Sequence, residues 1–409
     1  MVKRIMERFE SLLPYSEAVS IFDAVPWHLP GRERINIEDA AGKISACSVF
    51  SPMNIPDKNK AAMDGYAVKH MNTSNASDHN PARLELSGVN MAGGTAGEPL
   101  KDVQCREIYT GSIMPEGADA VIKVENCEQS GDYIYIYSPV LAWENVASIG
   151  EDITRGSLIL REKSIIRPQN ISSMTAAGIK SANVYRNITI GIVNTGRELV
   201  TGQINNSTGS LLRSFYSRAF MDIIDGGIAD DSVDSIIEKI SNIRKKCDII
   251  IVTGGSSLGR KDLTTGAISR LGKMLFSGVA IKPGRTIALF NVDNIPVLSV
   301  SGLPVAALMS SLIFVNRYVQ NAFGIEITEK APAILEERIH NKTGFTTFQV
   351  MNAFVKDGEI HARQLETTVS GRMSSLLTGN SFTLIDENLE GMEKGSRITI
   401  NVIGDIKWE

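Results

Sequence analysis

Two stretches of this chain carry residue types that could hold an anion. The first runs from Asp248 to Asp262, where four consecutive β-branched residues, Ile249 to Val252, lead into Thr253-Gly254-Gly255-Ser256-Ser257-Leu258-Gly259 and then Arg260, Lys261 and Asp262. A continuous apolar run is the mark of a strand covered on both faces. Glycines directly after such a strand let main-chain N–H groups approach an anion closely, at the edge of an α/β sheet where ligands collect. The glycine pair could also be only a strand-to-helix turn. The second stretch is Lys282-Pro283-Gly284-Arg285, in which Lys282 is hard to account for by packing and suits anion binding.

Composition bounds what such a site can serve. The chain has 409 residues, too many for one ordinary core, with 43% hydrophobic and 22% charged residues, which is the balance of a folded multidomain protein. A net charge of -4, with Arg244-Lys245-Lys246 as the densest basic run, points away from nucleic acid as a partner. The four cysteines are scattered without Cys-x-x-Cys spacing, and the five histidines are not paired at ligand spacing. Disulfide frameworks and histidine metal sites are therefore not expected, and a reducing cytoplasm is. Met1 to Arg8 has no apolar signal core, and the apolar stretch from Val305 to Val319 is shorter than the roughly 20 residues a bilayer requires, so no membrane association is expected.

The elements that must position these residues can be read in order. Tyr15 to Val19 offers a Ser16 cap before an apolar run, and Ile37 to Gly42 is a short helical turn with a glycine stop. Between about 51 and 145, short alternating runs such as Arg83 to Leu86 and Tyr133 to Tyr137 predict a small β domain. Residues 1–50 and 146–186, the latter with a helix from Asn170 to Gly178, are expected to form one split domain. From 187 to 325, strands alternate with helices, which predicts a mostly parallel sheet. Within it Val233, Ile236, Ile237, Ile240 and Ile243 fall at helical spacing behind Ser232, and Pro304 opens the last helix. Alternation resumes from 326 to 409, a second small β domain.

The order of motifs resembles the molybdopterin molybdenumtransferase family, MoeA and the gephyrin E domain, over nearly the whole chain. Ala62-Met63-Asp64-Gly65-Tyr66-Ala67 is similar to the family's AMDGYA, and Thr110-Gly111 with Pro115 to Val121 is similar to TG…PxGADAVV. Gly150-Glu151-Asp152-Ile153 resembles GEDI, Asn194 to Leu199 resembles STGDEL, and the Thr253 to Asp262 loop resembles the GGVSVGDYD run. Ala280 to Arg285 resembles AMKPGK, and Ser370-Gly371 with Ser374 to Asn380 resembles the SG…SLAxAN pattern.

This resemblance implies a multidomain α/β plus β fold: a central MogA-like three-layer domain with a mostly parallel sheet, flanked by small β domains in an elongated chain. It implies a cytoplasmic homodimer that takes adenylylated molybdopterin, releases AMP and inserts molybdate, or tungstate, usually with Mg²⁺. The site would lie between the sheet domain of one subunit and the Asp64 domain of the other. An adenylyltransferase of the MogA/MoaB kind is the implied protein partner. Asp64, Glu198, Asp262 and Lys282 are the implied catalytic residues, and Glu198, Asp230 and Asp262 are hard oxygen donors of the kind magnesium takes. Ligand contacts would come from Thr110, Thr195, Gly196, Thr253, Gly254, Gly255, Ser256, Ser257 and Gly259. Further contacts would come from Pro283, Gly284, Arg285, Gly302, Pro304, Ser370 and Arg372.

Each of these positions also has a plainer reading. Asp64-Gly65 is a turn signal, Glu198 is placed like a helix-start carboxylate, and Ser370 and Arg372 could be ordinary loop residues. The chain also departs from the family's pattern. Arg197 and Arg260 stand where the family has acids, and Ser301-Gly302-Leu303-Pro304-Val305-Ala306 replaces PGNPVS. These exchanges favour anions over cations at the site. A second reading is therefore a catalytically impaired paralogue that binds molybdopterin as a carrier or interaction scaffold.

Overall fold

The computed structural model describes residues 12–254, 263–365 and 373–408. Its organising element is the strand Ile249–Thr253, every residue of which is buried. It lies between the strands Ile188–Thr195 and Ile295–Val300, parallel to both, in a six-stranded sheet. Met221–Ala229 extends the sheet in parallel beyond Ile188–Thr195, whereas Ala288–Val292 and Lys273–Ser277 close the other edge antiparallel.

The continuous apolar run is explained by helices on both faces. Ile249 and Ile251 pack into a core with Leu212, Tyr216 and the helix Pro304–Phe323. Ile250 and Val252 point the other way, into a core with Ile236, Ile240, Ile243, Ala267 and Ile268. Period-two alternation sends neighbours to opposite faces, and each fully buried aliphatic side chain stabilises the fold by about 1.5–3 kcal/mol. Polar residues would therefore be costly at any of the four positions.

The helix Val233–Arg244 starts where its spacing predicts, with Ser232 Oγ accepting from Ser235 N at 3.2 Å. Pro304 occupies the first turn of a 20-residue helix that is buried on nearly every side and ends at Gly324 with φ 73°. Its two serines satisfy themselves: Ser310 Oγ donates to Ala306 O at 2.7 Å, and Ser311 Oγ bonds Tyr216 Oη at 2.9 Å. No helix among the described residues is long and apolar enough to cross a membrane. One local expectation is corrected. The first described helix, Tyr15–Asp23, begins after Pro14 without a side-chain cap, so Ser16 sits inside its first turn.

Smaller sheets flank this centre. Arg32–Asn36 pairs with Ser181–Tyr185, and Val49–Phe50 with Leu158–Leu160, joining chain segments more than a hundred residues apart. A six-stranded sheet covers segments between Gly65 and Ile136. The last sheet is built from strands between Glu329 and Trp408, but its edge strand, Ile281–Lys282, comes from the central region and pairs in parallel with Thr346 and Thr347. The architecture is the multidomain α/β plus β arrangement that the sequence predicts, with a mostly parallel central sheet between helical layers.

Candidate active site

Three parallel strands end side by side, each on a glycine: Gly196 after Ile188–Thr195, Gly254 after Ile249–Thr253, and Gly302 shortly after Ile295–Val300. Hydrogen bonds fix their spacing. Gly254 N donates to Val300 O at 3.0 Å, and Thr195 Oγ1 donates to Thr253 O at 3.1 Å. Thr253 Oγ1 donates to Asn194 Oδ1 at 2.9 Å, and Thr208 Oγ1 donates to Gly302 O at 2.6 Å.

Glycine is required here by contact as well as by conformation. Gly254 has φ 109°, and a Cβ added to it would lie 2.3 Å from Thr195 Oγ1. Gly302 lies beside it, where a Cβ would meet Gly254 Cα at an ordinary contact distance of 3.7 Å, so the demand for glycine falls on Gly254. The result is a crevice floored by backbone, at the strand ends where α/β sheets take ligands.

Asn194 and Thr208 belong to this crevice and are not among the residues singled out from sequence. Asn194 is fully buried, and its Nδ2 has no hydrogen-bond partner among the described residues. Its place at the end of a predicted strand, directly before Thr195-Gly196, is the signal that could have found it.

Two of the three candidate metal ligands, Glu198 and Asp230, lie among the described residues. Glu198 stands exposed in the short helix Arg197–Val200. Asp230 Oδ1 accepts from Asp231 N at 2.8 Å within the turn before the helix Val233–Arg244, and Asp231 Oδ2 accepts from Arg197 N at 3.3 Å, tying that turn to the start of the helix Arg197–Val200. No group of three or more His, Cys, Asp or Glu side chains able to hold a metal occurs among the described residues. Asp262, together with Gly255, Ser256, Ser257, Gly259 and Arg260, lies outside the described residues.

Lys282 stands on the edge strand of the last sheet, paired with Thr347. Its ammonium lies 4.6 Å from the centre of the Phe345 ring, a cation–π contact. Burial, followed by the positive charges of Lys342 and Arg285, lowers its pKa below the ordinary lysine value. Pro283 and Gly284 turn the chain onto the start of the long helix: a Cβ on Gly284 would lie 2.6 Å from Ser310 Cβ and 3.0 Å from Ala306 O. The Lys282 loop therefore packs on the helix that Pro304 begins, directly after Gly302. Ser370 and Arg372 lie outside the described residues.

Asp64 and Thr110 form a separate cluster in the sheet that includes Gly65–Val68. Asp64 Oδ1 accepts from Thr110 N at 2.7 Å and from Thr110 Oγ1 at 2.8 Å. These bonds, the backbone one first, hold the carboxyl below its ordinary pKa. Gly65 is needed beside it because a Cβ there would lie 1.9 Å from Ile122 O. Among the described residues, no hydrogen bond or ion pair joins this cluster to the glycine crevice.

Comparison with known proteins accounts for the whole architecture. Residues 13–178 match the MoeA N-terminal region (domain I and II), residues 191–321 match a probable molybdopterin binding domain, and residues 332–403 match the MoeA C-terminal region (domain IV). The chain is 29% identical to a putative molybdopterin biosynthesis protein of Methanocaldococcus jannaschii, over 97% of this chain and 100% of the relative. It is 26% identical to the molybdopterin molybdenumtransferase of Haemophilus influenzae, over 90% of this chain and 93% of that one. The crystal structure of the MoeA protein from Pyrococcus horikoshii OT3 superposes with a TM-score of 0.80 at 29% identity, covering 96% of this chain and 100% of that one. By its three matched regions, its relatives and its fold, the chain belongs to the MoeA family of molybdopterin biosynthesis proteins.

Proposed function

We propose that the protein is a molybdopterin molybdenumtransferase, which releases AMP from adenylylated molybdopterin and inserts molybdate, or tungstate, into the dithiolene. The observation that carries this reading is the backbone-floored crevice of Gly196, Gly254 and Gly302, with the Lys282 loop packed on the helix that follows it. A phosphoanhydride and an oxyanion both require fixed N–H donors and a cation. Cleaving the P–O bond to the adenylate is chiefly a matter of positioning and charge stabilisation. In this reading Lys282 neutralises charge developing on the phosphate oxygens, and the exposed Asp64 and Thr110 meet substrate from a second subunit of a cytoplasmic homodimer. An adenylyltransferase of the MogA/MoaB kind would supply the adenylylated substrate. A magnesium ion would be held by the hard carboxylate oxygens of Glu198, Asp230 and Asp262 and would neutralise charge on the phosphate oxygens.

The test is AMP release from adenylylated molybdopterin by purified protein, with magnesium and molybdate varied. Absence of release under every condition sinks the reading. A second reading, a molybdopterin-binding scaffold without turnover, is favoured by one observation. Arg197 stands where the family has an acid, and its backbone is held by Asp231. Tight molybdopterin binding without AMP release would establish that alternative, and complementation of a strain lacking the insertion step would exclude it.

A further inference from the structure

The loop from Arg161 to Arg167 borders a cleft of about 550 Å³ whose far wall is Gly324 and Ile325, the residues that follow the long helix. Ile159, Ile165 and Ile325 give the cleft an apolar lining, while Arg161, Lys163 and Arg167 stand exposed around it. Three cations within seven residues run against a chain whose net charge is -4. Among the described residues none of the three forms an ion pair. The acid within the loop, Glu162, is committed elsewhere: its Oε1 accepts from Arg32 at 3.2 Å and from Tyr185 Oη at 3.3 Å.

The loop is also held firmly. Lys163 N donates to Ser45 O at 2.8 Å, Ser45 N donates to Ser164 O at 2.9 Å, and Ile166 N donates to Lys43 O at 2.9 Å. Lys163 itself turns through φ 61°, which brings the chain back sharply between the two arginines. On the opposite side, Tyr185 packs on Phe323 with ring centres 4.9 Å apart, tying the wall to the end of the long helix. The cations are thus carried on a backbone that is already ordered, which lowers the cost of ligand binding.

We infer that this cleft binds a small phosphorylated molecule carrying at least two negative charges, with its phosphates on Arg161, Lys163 and Arg167 and its apolar part on the isoleucines. The guanidinium fork matches phosphate oxygens two at a time, and the volume lies in the range of small-molecule sites. The inference does not rest on the proposed reaction, because none of these residues belongs to the glycine crevice.

The experiment is isothermal titration of the full-length protein with inorganic pyrophosphate at low salt. It compares wild type, the triple variant Arg161→Gln/Lys163→Gln/Arg167→Gln, and Lys282→Gln as the control for the crevice. We expect a binding event that persists in Lys282→Gln and weakens about a hundredfold in the triple variant. Either Arg161→Gln or Arg167→Gln alone should weaken it about tenfold, which keeps the test decisive if the triple variant does not fold. Raising the salt should weaken the same event. Equal binding by wild type and triple variant overturns the inference, as does loss of all binding in Lys282→Gln. Binding of hexaglutamate without pyrophosphate binding overturns it in favour of an acidic protein partner.

Discussion

Gly254 and Thr195, the ends of two adjacent parallel strands, approach so closely that a methyl group on Gly254 would lie 2.3 Å from Thr195 Oγ1 and 2.6 Å from Thr195 O. The substitution Gly254→Ala meets this overlap and a left-handed φ of 109° together. It should destabilise the protein by about 2 kcal/mol or more and splay the two loops of the crevice. Urea unfolding with an unchanged m-value measures the first effect, and AMP release the second. An alanine variant with wild-type stability and activity would show that the crevice is not built on this contact.

Lys282 is expected to supply positive charge, so Lys282→Gln should lower AMP release about a hundredfold or more. Because burial and the neighbouring cations depress its pKa, the protonated form is present below that depressed value and is lost as pH rises through it. The basic limb of the pH–rate profile should therefore fall at lower pH than for an ordinary lysine. Lys342→Gln removes one of the depressing charges and should move that limb upward. A profile that ignores Lys342 would remove Lys282 as its source.

The Asp64 carboxylate is held in its ionised form by the Thr110 amide and hydroxyl. A group with a depressed pKa stays charged until the pH falls through that lower value, so its carboxyl carbon resonance should titrate below the usual aspartate midpoint. Thr110→Val removes the hydroxyl bond and keeps the amide bond, and it should raise the midpoint part of the way back. If Asp64 contacts substrate as proposed, Asp64→Asn should lower AMP release while leaving the thermal midpoint unchanged.

Asp248 is 1% exposed and anchors the start of the central strand. Its carboxylate accepts from Arg186 at 2.6 and 3.0 Å and from Thr189 N at 2.7 Å. Asp248→Ala leaves the Thr189 N–H without that partner and Arg186 without its counter-charge. Because Arg186 is 40% exposed and can be hydrated, we expect a loss of about 2–3 kcal/mol, below the full cost of breaking a buried pair. Chemical denaturation checks the magnitude, and a change under 1 kcal/mol would count against the pair as an anchor.

The residues from Ile249 to Thr253 illustrate what the sequence could determine. An unbroken β-branched run followed by glycine specifies a strand covered on both sides and a turn at its end, because side-chain period and backbone freedom are local properties. The same holds for Ser232 and the helix behind it, and for Pro304 at the start of the last helix. The order of short motifs identified the family for a related reason: each motif is a local backbone demand. Tertiary structure alone decided which distant residues meet. Thr110 lies 46 residues from Asp64, and Lys282 is fixed by strand pairing with Thr347 and by the Phe345 ring. The Asp230 carboxylate turned to the backbone of its own loop, that of Asp231 to the Arg197 N–H 34 residues away, and the Asn194 amide was buried without a partner for its Nδ2 among the described residues. Those outcomes depend on strand order and on which orphan donor lies nearest once the sheet has closed, and no window of sequence contains either.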